Sequence, residues 1–192
     1  MKKTSIIFFL VLAVSLLAPS PVLAVADAKA SVMVDTKVNV ATNPSEQKVD
    51  YTLPYPGILV DHPLYFLKKL RDQVLERLIS DPVRKIEFYV LQSDKALNAG
   101  IFLGARNKQA LASEMFAKSG ASMENAVKAA TALKAQGREI PGYVVERLNK
   151  SLAKHQEMLS DLGQKATETQ KANLMSVLEV MNKLQLEVAS FK

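Results

Sequence analysis

From Ile6 to Leu17 the chain is apolar with only Ser15 interrupting, whereas from Asp27 to Asp50 no period is sustained. From His62 onward, apolar residues return every three or four positions, the period of an amphipathic helix. That pattern predicts five helical segments. The first spans His62 to Ile79, with Asp61 as N-cap, Pro63 in the first turn, and Leu64, Leu67, Leu70, Val74 and Leu78 as one stripe. The second opens at Ser80-Asp81-Pro82, carries Val83, Ile86, Val90, Leu97 and Ile101, and is expected to stop at Gly104. The third runs from about Asn107 to Gly137, with Gly120 as a weak point that could bend or split it.

The fourth helix opens at Pro141 and places Val145, Leu148, Leu152, His155, Leu159 and Leu162 on one seam, with Gly163 as its expected end. The fifth opens at Thr167-Glu168-Thr169-Gln170, a capping-box spacing, and carries Leu174, Leu178, Met181, Leu184, Val188 and Phe191. Short connections make neighbouring helices antiparallel. The fold class expected is therefore all-α, a bundle of about five helices over residues 62–192. Helices two and three also resemble one tetratricopeptide-type hairpin, but no period near 34 residues recurs, so a repeat array is excluded.

The segment ahead of the helices divides in three. Met1-Lys2-Lys3, the apolar run, Pro19 and Pro21, and the small residues Leu23-Ala24-Val25-Ala26 form the three-part pattern of a secretory signal peptide over residues 1–26. Cleavage is expected after Ala24 or Ala26. Reading the run as a retained anchor would need about 20 apolar residues, and so a path through both prolines. Residues 27–50 read as a flexible tether. Residues 51–61 are too apolar for a solvated linker and too rich in proline for a helix, so they read as an extended strap. Tyr51, Leu53, Tyr55 and Ile58 are its candidate docking residues, either against the first helices or, like Pro-rich ligands, in a partner's aromatic groove.

Composition narrows the chemistry. The 192 residues contain no Cys, no Trp and two His. Without Cys there is no disulfide, no thiolate metal site, no cysteine nucleophile and no lipid-modified N-terminal Cys, so an exported product is not a lipoprotein. Removing the signal segment takes away Lys2 and Lys3, its only charges, and lowers the net charge of +6 to +4. His155 lies on an otherwise apolar seam and reads as a core histidine; His62 sits at a helix start and reads as part of its cap. No HExxH, phosphate loop or GxSxG elbow occurs. The acid pairs Asp72/Glu76 and Glu157/Asp161 share single helix faces and do not oppose each other across a cleft, as glycoside hydrolysis requires. No catalytic residue, cofactor or metal site is expected, and the chain reads as a non-enzyme.

The third helix is the one charge asymmetry: Arg106, Lys108, Lys118, Lys128, Lys134 and Arg138 against Glu114 and Glu124. Lys118, Lys128 and Lys134 are the candidate contacts for an anionic surface, such as lipid headgroups or wall polymers. Aromatics are not interleaved with these bases, so nucleic acid is not an expected partner.

Two runs carry a resemblance: LPYPGILVDHPLYFLKKLRD (Leu53–Asp72) and LISDPVRKIEFYVLQSDKALNAG (Leu78–Gly100), with Lys154-His155-Gln156-Glu157-Met158-Leu159 further on. Together they resemble a bacterial extracytoplasmic all-helical domain family of unknown function, over roughly Tyr51 to Ser190. The first run is specific because proline, glycine, aspartate and aromatics sit at fixed offsets; the later helices are generic. The resemblance implies a helical domain behind a signal peptide or membrane segment, no established catalytic residue, and an envelope or signalling setting. The function expected is thus a secreted or periplasmic domain that binds an envelope protein or an anionic polymer or lipid surface, with no stable membrane span after signal cleavage. The alternatives are a periplasmic chaperone-like or envelope-stress-sensing protein, and a cell-wall hydrolase.

Overall fold

The computed structural model describes residues 48–191. The signal peptide, its cleavage points and nearly all of the tether lie outside the described residues. Five α-helices follow one another: α1 (Tyr65–Leu78), α2 (Pro82–Ala105), α3 (Gln109–Ala135), α4 (Gly142–Lys165) and α5 (Glu168–Val188), closed by a 3-10 turn at Ala189–Phe191. The described chain is all-α, as the periodicity predicts.

Four of the helices build the core. α2 pairs with α3, α4 with α5, and the two hairpins meet through α3 on α5 and α2 on α4. Ile86, Leu97, Leu103, Met123, Leu133, Leu148, Leu152, Leu159 and Met181 fill the space between them, all of them fully buried. Close approach within the first hairpin depends on Gly100, where a Cβ would overlap the Phe116 ring. Gly120 does not bend α3, which runs unbroken through it; a Cβ there would meet Val177 Cγ1 at an ordinary 3.5 Å.

The helix ends show which local signals act. Asp81 caps α2 by accepting from the Val83 and Arg84 amides, and Thr167 with Gln170 forms the capping box of α5. Gly104 and Gly163, expected as stops, lie inside their helices. α2 instead ends at Asn107, whose φ of 58° lets its amide bond Gly104 O while the Lys108 amide bonds Leu103 O. Gly137, with φ 72°, closes α3 in the same way through Lys134 O and Leu133 O. Asp61 does not cap α1. It pairs with Lys108 at 2.7 Å, which holds its carboxyl below the usual value, and His62 Nδ1 accepts from the Leu64 amide instead.

Residues 48–60 run without helix across α4 and α2. The Val49 amide donates to Glu157 Oε2, Tyr51 Oη to Asp94 Oδ2, and Asn98 Nδ2 to Pro54 O. Pro56 and Leu59 are buried, and Leu53 packs against the core. Two of the four candidate docking residues behave otherwise. Tyr55 is 74% exposed, touching Phe102 only edge-on, and Ile58 is also exposed. The reason is the period: Gly57, at φ 72°, turns the chain so that Pro56 and Leu59 face inward and their neighbours do not.

Candidate functional site

Two arrangements stand out, one buried and one exposed. The buried one lies among the four core helices. Asp94 (α2), Ser119 (α3), Ser151 and His155 (α4) are fully buried, together with Ser93. His155 Nε2 lies 3.0 Å from Asp94 Oδ1 and its Nδ1 lies 3.1 Å from Ser119 Oγ. Ser151 Oγ donates to Asp94 Oδ1, and Ser93 Oγ donates to Ser119 O. Assigning Nε2 as the donor to Asp94 leaves Nδ1 to accept from the Ser119 hydroxyl, so each member has a partner. Tyr51 closes the network from outside. Burial first, then its bond to Asp94, pushes the Tyr51 phenol up to about 12, with Arg147 pulling the other way.

A serine, a histidine and an aspartate in hydrogen-bonded order invite comparison with a hydrolytic triad, which needs its nucleophile beside open space. Here the order is reversed. A groove of about 460 Å³ lined by Tyr51, Pro54, Tyr143, Arg147 and Lys150 reaches Asp94, the acid end. Ser119 lies beyond His155, in the interior, away from that groove. The network therefore ties three helices and the extended segment together around one buried carboxylate.

The exposed arrangement is α1. Its 14 residues include no buried side chain. The stripe expected to face the core faces outward: Leu70 is 56% exposed and Leu78 70%, with Leu64, Leu67 and Val74 also exposed, and Phe66 and Leu75, outside that stripe, are exposed too. The polar side is turned to the bundle. Lys118 Nζ donates to Tyr65 Oη, Tyr89 Oη donates to Glu76 Oε1, and Lys68 Nζ donates to Pro56 O and Ile58 O. The Lys68 and Lys118 ammonium groups both lie near the Tyr65 ring, 5.6 and 5.7 Å from its centroid. Burial pulls the Lys68 ammonium below its ordinary value, and burial with the Glu76 bond pushes the Tyr89 phenol up to about 12. Beneath this side is a crevice of about 210 Å³ lined by Asp72, Glu76, Phe88, Tyr89, Gln92 and Lys118. The core is complete without α1: α2 to α5 close on one another, and Leu53 and Leu59 of the extended segment pack against them.

The three candidate lysines of α3 are not brought together. Spaced over 16 residues, they spread along about 24 Å of helix. Lys118 faces α1, Lys128 pairs with Glu124 at 3.5 Å, and Lys134 donates to Ser190 O while lying over the Phe191 ring. Three of the four paired acids are bonded, and Asp161 is exposed. Asp72 takes Arg71, Glu76 holds Tyr89, and Glu157 takes Lys154 and the Val49 amide, which outweigh its partial burial and keep its carboxyl low. Among the described residues no three His, Asp or Glu side chains converge as metal ligands would.

No protein-family model, curated protein or solved structure matches the chain. The geometry of α1 and of the buried network is therefore what bears on function.

Proposed function

We propose that the chain is an exported, non-enzymatic helical domain that binds a partner in the cell envelope or outside the cell, through the outward face of α1. One observation carries this reading: α1 holds the bundle with its polar side and gives its apolar side to solvent. Contiguous exposed apolar surface costs solubility and marks interaction sites in water-facing proteins. The signal-peptide pattern and the family resemblance support export. The interior position of Ser119 supports a non-enzymatic role. The exposed stripe lends support also to a chaperone-like role, the second reading.

The test is retention of the mature protein by an envelope fraction. The double variant Leu70→Ser/Val74→Ser should wash out while keeping the helical spectrum of the parent. Equal retention of variant and parent would reject α1 as the binding face.

A further inference from the structure

We infer that the outward face of α1 is a seat for an anionic lipid surface, on which the helix lies parallel to the membrane plane; this rests on the reading of α1 as the binding face. Length comes first. Fourteen residues rise about 21 Å, short of the roughly 30 Å hydrocarbon core, so α1 is too short to cross a bilayer and long enough to lie on one. Among the described residues no helix is long and apolar enough to cross a membrane.

Charge placement decides between occupants. On a helical wheel with Val74 at the centre, Leu67, Leu70 and Leu78 fall within about 40° of it, and Arg71 and Arg77 flank it at about 60° on either side. Both arginines are exposed, Arg71 even while it pairs with Asp72. The two acids of the helix, Asp72 and Glu76, fall about 160° away, on the bundle side, where Asp72 is only 13% exposed and Glu76 holds Tyr89. The outward face is therefore apolar with a positive rim and no acid. That is the composition of helices that lie in an anionic interface, apolar residues in the acyl boundary and basic side chains at the headgroups.

A second copy of the chain fits less well. An antiparallel α1 pair centred on Val74 would set Arg71 of one copy against Arg77 of the other, and a parallel pair would put Arg71 of one copy and Arg77 of the other on the same flank. Half the surface of a 21 Å helical cylinder is about 330 Å², below the roughly 800 Å² that each side of a standard protein interface buries. A bilayer needs neither that area nor a matching shape.

The experiment is flotation of the mature protein with vesicles of phosphatidylcholine containing phosphatidylglycerol, and with vesicles of phosphatidylcholine alone. Because the chain has no Trp, Phe66→Trp supplies a single reporter on the exposed face. The expected result is binding to the anionic vesicles, a blue shift of the emission of the introduced indole, and loss of both with Leu70→Ser/Val74→Ser. Arg71→Gln and Arg77→Gln should each weaken binding about fivefold at low salt. Raising the salt from roughly 0.01 M to 0.15 M should weaken the parent, since the screening length falls from about 30 Å to about 8 Å. No flotation with anionic vesicles, while envelope retention still depends on Leu70 and Val74, would overturn the lipid assignment and leave α1 as a protein-binding face. Lipid-free self-association that the double variant abolishes would also overturn it. Retention indifferent to the double variant would overturn both readings.

Discussion

At the scale of single residues, the molecule is organised around Asp94. A buried carboxylate costs several kcal/mol unless its oxygens are satisfied. Here Ser151 and the His155 ring, one turn apart on α4, and Tyr51 from the extended segment satisfy them. His155 was legible in the sequence as a polar residue on an apolar seam. Asp94 was not, because in Gln92-Ser93-Asp94-Lys95 it looks like an ordinary exposed turn of helix. The signal that could have found it is the histidine itself, which needs a buried partner. Tyr51 gives this network a measurable alkaline signature. Its phenol titrates near 12 in the fold against 10 in a free chain. Between those values the unfolded chain loses the proton first, so the native state binds more protons and stability falls as pH rises. The advantage of the parent over Tyr51→Phe in urea midpoint should therefore be full below pH 10 and shrink toward pH 12. For a half-exposed ring we expect about 1 kcal/mol. A gap independent of pH would mean that the Tyr51 phenol is neither buried nor bonded to Asp94 in the fold.

At the scale of elements, what the sequence specifies locally is what it shows. The Asp81 cap and the Thr167/Gln170 box read directly, because each is a bond between residues two or three apart. Gly104, the stop the pattern predicts for α2, lies three residues ahead of Asn107, where the chain turns. Glycine is the residue that most readily takes positive φ, but asparagine also tolerates it, and the choice between Gly104 and Asn107 rests on where the helix leaves its core face. The same logic separates two helical glycines that look alike in sequence. Gly100→Ala forces a methyl into Phe116 and should cost on the order of 1–3 kcal/mol. Gly120→Ala meets only an ordinary contact with Val177 and should gain up to about 1 kcal/mol of helix propensity. Thermal melts of the two variants decide it. Destabilisation by both would mean that α3 and α5 approach more closely at Gly120 than 3.5 Å to Val177 allows.

At the scale of the whole molecule, periodicity gives a helix its stripe but not the direction that stripe faces. The stripes of α2 to α5 face one another and make the core, while the equally regular stripe of α1 faces out. Only the partners on its other side, Lys118, Tyr89 and the carbonyls of Pro56 and Ile58, reveal the inversion, and they come from three separate stretches of chain. The same long-range geometry disperses Lys118, Lys128 and Lys134, whose clustering a charge count suggests. The account turns on the orientation of α1, and the absence of native cysteine makes that orientation directly measurable. Single-cysteine variants of the purified protein at Val74, Asp72 and Leu152 can be reacted with a thiol reagent under native conditions. Val74→Cys should label at nearly the rate of the unfolded chain, Asp72→Cys several times more slowly, and Leu152→Cys only on unfolding. Protection of Val74→Cys together with rapid labelling of Asp72→Cys would mean that the apolar face of α1 is turned inward, and would contradict the account.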